Sequence, residues 1–275
     1  MKAILENYSS NLTTEPLYFS ECLNRVGSQG MLWNPEEVSI YDAHDVMKPD
    51  VVVVTMGKLS LDIFKLLKSS STKLVVNVAG SSEKEVDLLC EAIKTNKIDC
   101  PFIFSETSPN GTHNGIRRVN ILKGADVFLQ DQNNTIPDYL IDKAFVVDED
   151  QEMIDFEGSY HVLSQYSEVK ADIHFPIHSF YALCKNYKEI VIKHRDMVPT
   201  QLFFDAHFYG DNVSLDGPSI SLNTKIGSGD KPRSMFGSNA KKEVKAKHLC
   251  THRMARFLRS LGDTEEAKKV EDLVK

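Results

Sequence analysis

Four consecutive β-branched residues, Val51-Val52-Val53-Val54, constrain this chain more than any other stretch. A continuous run of this kind reads as a strand buried on both faces, as in parallel sheets covered by helices. The next fifty residues repeat the pattern. Thr55-Met56-Gly57 ends the run, and Leu61, Phe64, Leu66 and Leu67 recur at roughly helical spacing. Ser69–Thr72 breaks that helix, Leu74–Val78 is a second buried strand, and Ala79-Gly80 is its turn. Ser82 with Glu85 spells a capping box for a helix whose apolar positions are Val86, Leu88, Leu89 and Ile93. Phe102-Ile103-Phe104 is a third strand. The order β-α-β-α-β predicts a parallel sheet with covering helices.

The first 49 residues carry weaker signals. Cys22, Leu23 and Val26 suit a short helix, Ser39-Ile40-Tyr41 a short strand, and Trp33 a packed loop. After the third strand, Ser108–Gly115 (SPNGTHNG) reads as a turn-rich loop, and Ala125–Leu129 and Ala144–Val147 as strands. A second series follows the acidic stretch Asp148–Asp155. Tyr160–Leu163, Ala171–Phe175, Ile190–Ile192 and Val213–Leu215 are β-like, and His178–Cys184 and Thr200–Ala206 are short helical pieces. Gly227–Ser238 is a Gly/Ser-rich loop. Cys250, Met254, Phe257, Leu258 and Leu261 then repeat at the helical period, Gly262 is a natural C-cap, and Asp263-Thr264 starts a last helix. The expectation is an α/β chain of two Rossmann-like halves with parallel sheets, 1–150 and 151–240, and a helical tail, 241–275.

At 275 residues the chain has room for two modest domains. Its net charge of −7 argues against nonspecific binding to nucleic acid over the whole surface. The charge is uneven, however. From Lys231 to Arg259, nine Lys or Arg face one acid, Glu243, a local balance of +8 that leaves −15 for the rest. Such asymmetry marks either a polyanion-binding face or a solvated basic helix. Five scattered cysteines without a CxxC pair suit a reducing cytoplasm rather than a zinc ribbon or redox motif. The N-terminus MKAILENYSSNLTTEP lacks an apolar signal-peptide core, and no run approaches the ~20 apolar residues of a membrane span. No membrane partner is expected.

Three groups carry candidate chemistry. Lys193, His194 and Arg195 directly follow the strand Ile190–Ile192, where cations can neutralise a diphosphate; a surface turn is the plain alternative. Downstream, Gln201 and Asp205 are candidates for the same ligand, Asp205 accepting from ribose or sugar hydroxyls or capping a local turn. Glu106, just past Phe102–Phe104 and ahead of a glycine-containing loop, suits a general base or an exposed loop position. Asp172, His174 and His178 hint at a metal, but Pro176 separates the histidines, and no metal site is expected. GxGxxG, GxxxxGK[ST] and GxSxG are all absent, which removes support for dehydrogenase, P-loop and serine-hydrolase readings.

Three segments resemble GT-B glycosyltransferases: KPDVVVVTMGKLSLDIFKLLKSSSTKLVVNVAG, FYALCKNYKEIVIKHRDMVPTQLFFDAHFYGDNV and KHLCTHRMARFLRSLG. They cover about a third of the chain. Through its late basic segment the chain is most similar to the phage DNA glucosyltransferases. The resemblance implies two facing Rossmann-like domains, an acceptor side in the N-terminal half, and a nucleotide sugar, such as a UDP-sugar, held by the C-terminal half. Lys193, His194, Arg195, Gln201 and Asp205 would then bind the donor. Glu106 would be the base, and Lys241, Lys242, Lys245, Lys247 and Arg253 would contact an acceptor polyanion such as modified DNA. No cofactor or metal is implied. The glutamate that many GT-B enzymes carry on a late donor-side helix has no counterpart in Ser179–Cys184. A non-catalytic module binding a nucleotide sugar or a polyanion is the second expectation.

Overall fold

The valine run forms the third strand of a seven-stranded sheet. A computed structural model describes residues 1–7, 14–107, 109–125, 127–128, 143–147, 160–164, 171–175, 180, 183–184, 187–193, 201–210, 213–216 and 240–274. The described residues fall into two compact units, Met1–Leu122 with Thr251–Lys275, and those between Lys123 and Cys250.

In the first unit the strands are β1 (Lys2–Glu6), β2 (Gln29–Trp33), β3 (Val51–Thr55), β4 (Lys73–Asn77), β5 (Phe102–Ser105), β6 (Gly111–His113) and β7 (Ile116–Asn120). Their spatial order is β2-β1-β3-β4-β5-β7-β6, parallel throughout except for β6. Helices α1 (Thr14–Arg25), α2 (Ile40–Met47), α3 (Leu61–Lys68) and α4 (Glu83–Thr95) are the crossovers. Strand alternation divides the core. Ile4, Val52, Val54, Leu74, Val76 and Ile103 pack with Ile40, Ile63, Leu67, Val86, Leu89 and Ile93 of α2, α3 and α4. The capping box is present: Ser82 Oγ accepts from the Glu85 N–H, and Glu85 Oε2 accepts from the Ser82 N–H at 2.7 Å.

Three readings change. Ser39-Ile40-Tyr41 is no strand: Ser39 caps α2 by accepting from the Asp42 N–H at 3.2 Å, and Ile40 and Tyr41 lie in its first turn. Trp33 ends a strand and donates its indole N–H to the Val38 carbonyl at 2.8 Å. The loop 108–115 contains a hairpin. Asn114 and Gly115 both have positive φ, 44° and 75°, the backbone that a two-residue turn between twisted antiparallel strands requires.

The second unit holds β8 (Lys143–Val147), β9 (His161–Ser164), β10 (Ile173–His174), β11 (Glu189–Lys193) and β12 (Val213–Asp216). All are parallel, in the order β10-β9-β8-β11-β12. Helices α5 (Gln201–Tyr209) and α6 (Ala240–Lys247) belong to it. In place of a strand over Ala125–Leu129, Ala125 makes a single parallel bridge to Leu249.

The C-terminal helices are α7 (Cys250–Leu261) and α8 (Thr264–Asp272). The sequence set 241–275 apart as a tail and put a boundary at 150. By compactness the units divide at Leu122/Lys123, and from Thr251 onward the chain packs with the first unit. The reason is Phe257. Its ring lies 5.1 Å from Phe19, 5.4 Å from Phe102 and 6.1 Å from Phe104, so α7 covers the sheet face opposite α2, α3 and α4. Phe257→Ala should lower stability by about 3–5 kcal/mol, the usual cost of a fully buried phenylalanine. Urea unfolding would show it, and a loss under about 1 kcal/mol would mean that α7 is dispensable to the first unit.

Candidate functional site

Open parallel sheets hold ligands past the C-terminal ends of their strands, where successive crossovers leave in opposite directions. The first sheet has this switch point between β1 and β3, because β2 lies on one side of β1 and β3 on the other. The second has it between β8 and β11.

Glu6 ends β1 and Thr55 ends β3. The Thr55 N–H donates to Glu6 Oε2, which ties the two strand ends across the switch point. The Glu6 side chain is buried, and its other oxygen, Oε1, has no hydrogen-bond partner among the described residues. Burial pushes the carboxyl above its ordinary pKa; the bonds from Thr55 and the Lys58 ammonium oppose the shift. Asn7, the next residue, is also buried, with Oδ1 unpartnered among the described residues. Sequence reasoning missed this group because it missed β1: KAILE is a short apolar run that suits a helix turn as well as a strand.

Glu106 lies on the same sheet edge, directly after β5 and half-buried. It is three strand positions from Glu6, roughly 14 Å by strand spacing. A hydrogen-bonded chain supports its backbone. Asn120 Nδ2 donates to the Glu106 carbonyl at 3.0 Å, the Asn120 N–H donates to Asn110 Oδ1 at 2.8 Å, and Arg256 of α7 donates to the same Oδ1 at 3.0 Å. Between β3 and β5, Asn77 ends β4 and accepts from the Ala79 N–H at 3.0 Å. A separate cavity of about 380 Å³ opens at the opposite end of this sheet, lined in part by Met1, Asp50, Lys73 and Asp263. That is the edge where open α/β sheets do not hold ligands.

In the second unit, Lys193 is the last residue of β11, in register with Val147 of β8 and Asp216 of β12. It therefore stands at the β8/β11 switch point. His194 and Arg195 lie outside the described residues. Gln201 and Asp205 have a different setting from the expected one. Both are buried, at 3% and 1% exposure. Gln201 Nε2 donates to the Gly124 carbonyl at 2.8 Å and to the Asp205 carboxylate at 3.0 and 3.1 Å. Gly124 packs so tightly on Leu249 that an added Cβ would come within 2.9 Å of its backbone. The pair thus braces the start of α5 against an interior carbonyl. Burial and the Asp205 charge hold the Cys184 thiol well above its usual range, and burial lowers the His207 pKa, which favours a neutral imidazole.

The basic residues also divide. Lys242, Lys245 and Lys247 are exposed on α6, with Lys245 Nζ 5.6 Å from the Phe208 ring centre and Lys247 paired with Glu243 at 3.8 Å. Lys241 Nζ donates to the Gly210 carbonyl at 3.3 Å. Arg253 is not on this surface. It lies four residues before Phe257, on the same buried helix face, at 4% exposure. Burial pushes its pKa down to about 10, with Tyr18 opposing and Arg256 adding to the shift.

Among the described residues, no helix is long and apolar enough to cross a membrane. The same residues contain no group of three His, Cys, Asp or Glu that could hold a metal ion. Asp172 of the sequence-suggested trio accepts from the Val162 N–H at 2.8 Å, and His178 lies outside the described residues. No protein-family model matches the chain, and no curated protein matches it.

The buried Glu6 carboxyl gives a pH test. A carboxyl whose pKa rises on folding favours the folded state most below the unfolded pKa and loses that advantage as pH rises through the folded value. Glu6→Gln does not titrate. Its stability relative to wild type should therefore improve as pH rises from about 4 to about 7, read by urea melts at several pH values. A difference independent of pH would refute the burial of a titrating group at this position.

Proposed function

We propose that the protein is a nucleotide-sugar-dependent glycosyltransferase with a GT-B-like division of labour, its acceptor groups in the first unit and its donor groups in the second. The observation that carries the reading is Lys193 at the β8/β11 switch point, heading the segment Lys193-His194-Arg195. A cationic group there suits a diphosphate, as the carboxyl-bearing edge of the first sheet suits a hydroxyl.

The chemistry is displacement at the sugar's anomeric carbon. The acceptor oxygen forms a bond to that carbon as the carbon–phosphate oxygen bond breaks. Glu106 takes the acceptor proton, and the nucleoside diphosphate leaves with the bonding pair. Lys193, with His194 and Arg195, offsets the charge that develops on it, and stabilisation of this type often contributes more to catalysis than any other single effect. Gln201 and Asp205 act from within the unit, by fixing α5, rather than by touching the donor. The exposed α6 lysines fit an acceptor that carries phosphates, and modified DNA is the acceptor of this class.

A thermal-shift screen with UDP, GDP, CDP and their sugars tests the donor half, because a bound ligand raises the melting temperature as its concentration exceeds its Kd. Arg195→Ala should weaken the stabilising nucleotide by about tenfold or more while the fold is kept. Unchanged affinity would remove this loop from the donor site. With a productive donor, Glu106→Gln should reduce turnover about 100-fold or more. Nucleotide stabilisation without release of nucleoside diphosphate from any sugar donor would instead favour a non-catalytic binding module, the reading that the acid-free Ser179–Cys184 segment favours.

The DNA acceptor is tested by salt. Each phosphate contact contributes a slope of about −0.7 to −0.9 to log affinity against log salt. Replacing Lys242 and Lys245 with alanine should flatten that slope by about one to two. DNA affinity that does not change with salt in the wild type would exclude α6 as a phosphate contact.

A further inference from the structure

We infer that Arg117 and Arg256 of the first unit form a binding site for a phosphate group that carries two negative charges. The starting observation is a contrast among arginines. Arg25, Arg118 and Arg259 each face a carboxylate, Glu21 at 2.6 Å, Glu83 at 3.0 Å and Glu271 at 2.6 Å. Arg117 and Arg256 have no carboxylate partner among the described residues. The two also stand together. Arg117 and Arg118 are neighbours on β7, so their side chains leave opposite faces of the sheet. Arg118 bonds Glu83 of α4, whereas Arg117 reaches the Ser260 carbonyl of α7 at 3.5 Å. Arg256 precedes Ser260 by one helical turn on the same side of α7, and it donates to Asn110 Oδ1 at 3.0 Å. Both acceptors are neutral, so they orient the guanidinium groups without an opposite charge.

The ligand class follows from charge and donors. Burial and the Arg117 charge push the Arg256 pKa down, and no carboxylate among the described residues opposes the shift. An anion that accepts from both groups removes this repulsion. Arg117 is exposed and Arg256 half-buried, so solvent reaches the pair. Each commits a single N–H to the protein, and most of its donors remain for a ligand. A carboxylate, with one charge, is satisfied by the fork of one arginine. A phosphate monoester, with a second pKa of about 6, carries nearly two charges at neutral pH and has oxygens for both forks. The site also adjoins the Glu106 loop. Asn110 Oδ1 accepts from the Asn120 N–H as well as from Arg256, and Asn120 Nδ2 donates to the Glu106 carbonyl. The site stands on the first unit alone and does not require the transferase reading.

The test is an amide-resolved NMR titration of the full chain at about pH 7, above the second phosphate pKa of about 6, at constant ionic strength. The probes are inorganic phosphate, glucose 6-phosphate and uridine 5′-monophosphate, with dimethyl phosphate and acetate as singly charged controls. Inorganic phosphate should give saturable shifts at the Asn110, Arg117, Arg256 and Ser260 amides and none at Arg25, which is already paired. The controls should bind about tenfold more weakly or worse. The tighter of the two esters identifies the source of the phosphate. Arg117→Gln and Arg256→Gln should each weaken phosphate binding by about tenfold or more, and Arg25→Gln should leave it unchanged. If Arg256→Gln fails to fold, Arg117→Gln decides by itself, because Arg117 is exposed. Unchanged affinity in Arg117→Gln would overturn the site, as would equal binding of either control, or phosphate shifts that do not saturate or that are as large at Arg25. No sugar donor is present, so failure here leaves the transferase reading intact, and failure of donor turnover leaves this site intact.

Discussion

The ring of Phe257 on the sheet is the contact on which the first unit depends. Parallel strands buried on both faces need two covering layers. Helices α2, α3 and α4 cover one face with an aliphatic cluster. The other face presents Phe102 and Phe104, which α7 meets with Phe257, while Phe19 of α1 packs on the same ring. The last segment of the chain thus completes the core of the first, and 251–275 is not a separable tail. That closure also makes the fold strongly non-local, since residues about 150 positions apart must meet before the phenylalanine face is shielded.

The same packing brings polar groups of α7 to the first unit. Arg253 shares the buried face of Phe257 and loses hydration there, which is why its pKa falls to about 10. Arg256, less deeply set, reaches Asn110 and through it Asn120 and the Glu106 carbonyl. Arg117 donates to the Ser260 carbonyl at 3.5 Å. Core packing and the support of the Glu106 loop are therefore one arrangement. A helix placed for apolar burial also fixes the backbone next to a carboxylate at the sheet's C-terminal edge.

Much of the fold was legible because its signals are local. The runs at Val51, Leu74 and Phe102 became β3, β4 and β5, and Ser82 with Glu85 formed the capping box. The misses share a cause. Lys2–Glu6 is too short for periodicity to separate strand from helix, yet it sits beside β3 in the sheet. Ser39 reads as a strand residue until its hydroxyl is seen capping α2. For the candidate site, the strand-end rule placed Glu106 and Lys193 at sheet edges, and applied to β1 it would have found Glu6. It could not separate surface from interior. Asp205 and Arg253 have the charges of ligand-binding residues, but the first is bonded to Gln201 and the second shares a helix face with Phe257. Burial depends on what the rest of the chain brings alongside, and no local spacing encodes it.

The two sheets then differ in what their switch points offer. At β1/β3 the charged group at the strand end is a carboxyl, desolvated and held on one oxygen by a backbone N–H. At β8/β11 it is the ammonium of Lys193, followed in sequence by a histidine and an arginine. A carboxylate at the first position repels phosphate and accepts from hydroxyls, whereas a cation at the second does the reverse.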